Sequence, residues 1–175
     1  MTVLQKLRES IGAIDGSLQK LKIAYSGFES GFPQGGIVEV IGTGKTEVVA
    51  KFLSEHEQEK AAWIESEFSV NPCALSQKGV ALGNVLFMRT QRESIWTVRE
   101  VLQSQVFSIV VTSFVEFPEN DLRRMQILAE RAKVNLFILS QEFHHSFVPQ
   151  LQLQVSRDQQ TGRLEWKIKK QRGSW

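Results

Sequence analysis

At 175 residues the chain has room for one ordinary domain, because domains usually run about 100–200 residues. Hydrophobic residues at 42% and charged residues at 23% are ordinary globular values, which excludes a disordered chain. The formal charge is only +2, yet its distribution is uneven, with a net +4 from Arg163 onward against −2 for everything before it.

The longest apolar runs, such as residues 109–111 and 136–139, fall far short of the ~18 residues that cross a bilayer, so no membrane span is expected. Residues 1–10 carry Lys6, Arg8 and Glu9 with no apolar stretch behind them, unlike a secretory signal. Cys73 is the single cysteine, which rules out an internal disulfide and a multi-cysteine metal site. A reducing cytoplasm is therefore the expected compartment, and no metal site is expected.

In chain order, Leu4, Leu7, Ile11, Ile14, Leu18 and Leu21 recur at alternating spacings of three and four, a narrow stripe on a helix. Gly12 and Gly16 each weaken that helix by about 1 kcal/mol relative to Ala, so it forms when docked on the domain or on a partner. Residues 1–25 are accordingly read as a detachable association element and 26–175 as the core domain. Gly27, Gly31, Pro33, Gly35 and Gly36 mark an irregular loop, and residues 37–41 read as a buried strand.

The periodicities then alternate: helix 45–59, strand 61–65, helix 71–78, strand 84–88, helix 93–103, strand 107–111, helix 119–131 and strand 134–139. Strands alternating with helices predict an α/β fold, a mostly parallel central sheet flanked by helices. Leu151, Leu153 and Val155, then Leu164, Trp166 and Ile168, alternate with polar residues around 158–162, which predicts a C-terminal antiparallel hairpin. Its basic residues Lys167, Lys169, Lys170 and Arg172 fit either a solvated edge strand guarded by lysines or a DNA contact.

The stretch with most chemistry is Gly42-Thr43-Gly44-Lys45-Thr46, placed between a strand and an amphipathic helix as in a P-loop. Lys45 is the residue type that reaches phosphate oxygens, and Thr46 the type whose hydroxyl meets Mg²⁺. One residue, Thr43, separates Gly42 from the Gly-Lys pair where a full loop has four, so the turn cannot encircle a triphosphate. His144 and His145 point to opposite sides of an extended segment and are expected to be ordinary loop residues, while Cys73 reads as a small buried hydrophobe.

These landmarks resemble the RecA recombinase family over most of the chain. Residues 32–42 are similar to the entry of the RecA P-loop strand, and residues 62–67 to the next strand, which places Glu67 where the family has its catalytic glutamate. Residues 107–113 are similar to the Walker B strand, but with Thr112 in place of the magnesium-linked aspartate. Residues 137–141 resemble the strand that ends in the γ-phosphate-sensing glutamine, here Gln141, and residues 167–173 the closing strand. The two DNA-holding loops of the family are cut short after Val115 and after Gln141.

The chain most resembles the ImuA-type accessory proteins of the damage-inducible mutasome. That resemblance implies a RecA-like P-loop NTPase core and a non-catalytic adaptor in the DNA-damage response that supports translesion synthesis. A Y-family DNA polymerase, the RecA recombinase or both are the implied partners, with self-association through the N-terminal stripe and only weak or indirect DNA contact. No bound cofactor is expected. ATP with Mg²⁺ belongs to an alternative, a nucleotide-dependent switch or weak ATPase in which Lys45 and Thr46 hold phosphate, Glu67 activates water and Gln141 senses the γ-phosphate. A second alternative is an inhibitor of a recombinase filament or of a cell-division polymer.

Overall fold

The computed structural model describes residues 22–23, 25, 31–90, 94–113 and 117–172. The N-terminal stripe from Leu4 to Leu21 lies outside the described residues. A two-stranded ribbon of β1 (Lys22–Ile23) and β2 (Phe32–Pro33) opens the described chain. There follow β3 (Gly36–Gly42), α1 (Lys45–Glu55), β4 (Ala61–Glu65), α2 (Pro72–Gln77), β5 (Val85–Arg89) and α3 (Ser94–Gln103). The remainder is β6 (Ile109–Thr112), α4 (Glu119–Ala132), β7 (Asn135–Leu139), β8 (Leu151–Arg157) and β9 (Leu164–Gln171).

Seven strands form one sheet in the order β5-β4-β6-β7-β3-β8-β9, parallel throughout except for the antiparallel pair β8 and β9 at one edge. The expected α/β class, the mostly parallel sheet and the terminal hairpin are all present. β3 lies between β7 and β8, in register Val38 with Phe137 and with Leu151.

Strands buried on both faces favour apolar residues at nearly every position, which is why β3, β4, β6 and β7 read as largely apolar runs, with Glu39 the polar exception at the centre of β3. Val38, Val40, Trp63, Val111 and Phe137 face α1, whose Val48, Val49, Phe52 and Leu53 are buried. Ile37, Ile64, Val110 and Ile138 face the other layer, where Val98 and Leu102 of α3 and Leu122, Met125 and Ala129 of α4 are buried. An aromatic cluster closes the first layer, with the Phe32 ring 5.0 Å from Phe52 and from Tyr25, and 5.4 Å from Phe137.

Polar side chains fix where β3 begins. Gln126 of α4, buried, accepts from Ile37 N at 2.8 Å, and Asn135 accepts from Gly35 N at 2.8 Å. Both satisfy backbone donors that the sheet ladder leaves over. One sequence expectation fails here: Cys73 is exposed in the first turn of α2, where Asn71 caps the helix by accepting from its N–H. Only Leu75 of that short helix is buried. Among the described residues no helix is long and apolar enough to cross a membrane.

Candidate functional site

Because the strands from β5 to β8 run parallel, the ends of β4 and β7, the residue after β6 and the start of α1 meet on one side of the sheet. They enclose a cleft of about 230 Å³ lined by Lys45, Thr46, Glu65, Ser69, Ser113, Leu139, Ser140 and Gln141. Pockets that enclose a drug-sized ligand run about 300–1,000 Å³, so this space suits a small group rather than a whole nucleotide.

The charged groups of the cleft are already engaged. Lys45 Nζ donates to the Ser140 carbonyl at 2.9 Å, and burial lowers its pKa. Glu65, 1% exposed, accepts from Ser69 N at 2.9 Å, Ser69 Oγ at 2.8 Å, Val70 N at 3.3 Å and Ser113 Oγ at 3.3 Å. The amides of Ser69 and Val70, in the loop after β4, thus point at a carboxylate of the protein.

The glycines of the turn answer to packing. Gly42 sits at φ +101°, and a Cβ there would lie 1.9 Å from the Val155 carbonyl oxygen. A Cβ on Gly44 would lie 2.5 Å from Leu164 Cδ2 and 2.7 Å from Val155 Cγ1. The β8–β9 hairpin therefore rests directly on the turn. Gly44 also begins α1 with its carbonyl accepting from Val48 N at 3.0 Å, and no side chain caps the helix.

Lys45, Thr46 and Gln141 come together in this cleft, as the sequence suggested, with Thr46 and Gln141 exposed at its mouth. Thr43 is exposed on the turn. Glu67 is exposed on the loop after β4 and does not line the cleft; the carboxylate there is Glu65, two residues earlier. Thr112 is fully buried, and strand alternation puts it on the same side as Val110, toward α3 and α4. Its Oγ1 has no hydrogen-bond partner among the described residues.

A second polar cluster was not foreseen. Glu39, fully buried in β3, accepts from Ser140 Oγ at 3.2 Å, His144 N at 2.9 Å, His144 Nδ1 at 2.5 Å and Gln152 Nε2 at 2.7 Å. His144 Nε2 in turn accepts from Phe117 N at 3.4 Å, which places the ring proton on Nδ1. His144 is thus a pin between the β7–β8 loop and the core, whereas its neighbour His145 is exposed. The signal that could have found it is the lone glutamate inside an apolar strand, which requires partners somewhere.

The basic pole divides. Lys167 and Lys169 are exposed, while Lys170 reaches back to place Nζ 5.3 Å above the Phe147 ring and to donate to Ser146 O at 3.3 Å. Burial first, then the neighbouring Arg172 charge, lowers the Lys170 pKa. Arg172 donates to Val148 O at 3.4 Å. Phe147, 86% exposed, borders a groove of about 600 Å³ with Ile127, Arg123 and Glu130 of α4. Among the described residues no group of three or more His, Cys, Asp or Glu side chains is placed to hold a metal ion.

No protein-family model matches this chain, and no curated protein matches it.

Proposed function

We propose that the chain is a RecA-like protein of the ImuA type that acts as a non-catalytic adaptor in the DNA-damage response. It would work in the cytoplasm, joining a Y-family DNA polymerase, the RecA recombinase or both through protein–protein contacts. The strand order in the sheet supports the RecA-like assignment, since β7, which ends at Leu139 two residues before Gln141, lies between β3, which leads into the glycine turn, and β6, which ends at Thr112.

The observation that carries the adaptor reading is the state of the cleft. The hairpin packs on one side of the glycine turn, Lys45 is tied to a backbone carbonyl, and the Glu65 carboxylate in the same cleft accepts from the Ser69 and Val70 amides. A phosphate taken up by Lys45 would have to displace its bond to Ser140 and sit beside the buried Glu65 carboxylate. The basic residues Lys167, Lys169, Lys170 and Arg172, with the Phe147 ring beside Lys170, support an accessory contact to a single DNA strand, which would weaken steeply with salt.

Calorimetric titration tests this with two ligands, Mg·ATP and the purified Y-family polymerase from the same source. The expected result is no heat with nucleotide up to millimolar concentration and micromolar association with the polymerase. Micromolar ATP binding that vanishes in Lys45→Ala would overturn the reading in favour of the nucleotide switch.

A further inference from the structure

We infer that the groove between α4 and the β7–β8 loop docks a short acidic peptide segment of a partner protein, with an apolar side chain against Phe147 and Ile127 and a carboxylate against Lys170 and Arg172. The groove volume of about 600 Å³ falls among sites that enclose small ligands, roughly 300–1,000 Å³. Phe147, 86% exposed, and Ile127, 48% exposed, both line it. The backbone on either side of Phe147 is anchored. His144, three residues earlier, is bonded to Glu39, and Val148, the next residue, is buried in the layer of Ile37, Leu122 and Met125. An exposed aromatic ring on an anchored backbone offers apolar area at little cost in entropy, which is the character of an interface anchor.

The charges of the two walls differ in how they are matched. Those of the carboxylates are met within α4: Glu119 accepts from Arg123 Nε at 3.1 Å and Nη2 at 2.5 Å, and Glu130 accepts from Gln126 Nε2 at 2.8 Å. On the facing wall Arg172 donates to the Val148 carbonyl at 3.4 Å and Lys170 to the Ser146 carbonyl at 3.3 Å. Both contacts are longer than an ordinary N–H···O bond of about 2.9 Å, and neither cation has a carboxylate partner within bonding distance among the described residues. The two also repel each other. After burial, the Arg172 charge is the next cause that lowers the Lys170 pKa, against a smaller opposing pull from Glu39. That wall lacks an anion.

The α4 wall decides between a peptide and a nucleic acid. A phosphodiester strand carries a charge at every residue and would bring some of them against Glu119 and Glu130. A peptide with a carboxylate at one end and an apolar side chain beside it meets both walls without a like-charge contact. Lys167 and Lys169 are exposed and do not line the groove, so they stay available to DNA. The docking site rests on the adaptor reading, to which it adds the place and the chemistry of the partner segment.

Selection of random twelve-residue peptides displayed on phage, run against the full chain, tests it without a known partner. Selected peptides are then titrated by fluorescence anisotropy against the parent, Phe147→Ser, Arg172→Glu and, as control, Arg124→Glu, an exposed position of α4 that does not line the groove. The expected result is a consensus with Asp or Glu beside Leu or an aromatic residue. Affinity is expected to fall tenfold or more in Phe147→Ser and in Arg172→Glu, and less than twofold in Arg124→Glu. No enrichment, a consensus without acidic residues, or binding that survives either groove substitution overturns the proposal. A single-stranded oligothymidylate that binds more tightly than the selected peptides, and loses that affinity in Phe147→Ser, also overturns it and gives the groove to nucleic acid. Titrating the polymerase against Phe147→Ser separates the two readings. Association that the variant keeps in full removes the groove and leaves the adaptor, whereas peptides that bind as expected while the polymerase does not associate leave the groove and remove the adaptor.

Discussion

Four donors converge on Glu39, and its environment makes it the side chain whose replacement is most informative about the core. Glu39→Gln keeps the shape but turns one acceptor oxygen into an amide that faces donors. The expected loss is about 1–3 kcal/mol in urea unfolding, and a change below about 0.5 kcal/mol would show that the network adds little. Glu47 is a milder case. Its hydrogen bond to Lys78, then the Lys78 and Arg157 charges, hold its carboxyl below the usual range, against an opposing push from burial. Because the folded-state pKa is depressed, the stabilisation is present at neutral pH and fades as pH falls through the acid range. Both partners are more than two-fifths exposed, so solvent screens most of the interaction. Glu47→Gln should cost about 0.5–1 kcal/mol at neutral pH, with parent and variant converging toward pH 3 in a series of melts. A gap that persists there would assign the loss to packing.

At the scale of elements, the contact between the glycine turn and the hairpin separates two substitutions that look alike in sequence. Gly42→Ala puts a methyl group against a backbone carbonyl at a positive φ, and neither can yield cheaply. Gly44→Ala meets only the ends of Leu164 and Val155 at an ordinary φ of −102°. Urea midpoints should show Gly42→Ala costing about 3 kcal/mol or more and Gly44→Ala about 1 kcal/mol; equal losses would mean that the hairpin lifts off the turn easily. Element identity was legible because each apolar run had a clear period, and most boundaries fall within two residues of where the pattern put them. α1 is the exception. It stops at Glu55, four residues early, where the His56 N–H turns back to Leu53 O and the His56 ring packs on Phe52. Residues 55–60 are charged and polar with no apolar face, so helix propensity alone had nothing to hold it.

Across the whole molecule, what the sequence could not reveal is which distant residues meet. The alternation of periods announced a covered parallel sheet, and Lys45, Thr46 and Gln141 were legible as a cluster because each follows or precedes an element in a recognisable order. Glu39 and His144 are 105 residues apart, and nothing local in either marks the other. Glu65 was passed over because a strand-end carboxylate is usually solvated; Ser69, Val70 and Ser113 turn it inward. Gly42 and Gly44 carried the look of a phosphate loop, while the hairpin that crowds them lies more than 100 residues downstream.

The strand order also governs how the chain must be made. β3 pairs on one side with β7, Gly36 opposite Asn135, and on the other with β8, Val38 opposite Leu151. At about 5–20 residues per second, a ribosome exposes β3 for on the order of 5–20 s before its first sheet neighbour is synthesised. For most of that interval Val38 and Val40 have α1 to lie against while Ile37, which faces the layer of α3 and α4, waits for helices made later, so translation speed between β3 and β7 and access to chaperones are expected to affect how much of this protein reaches its native fold.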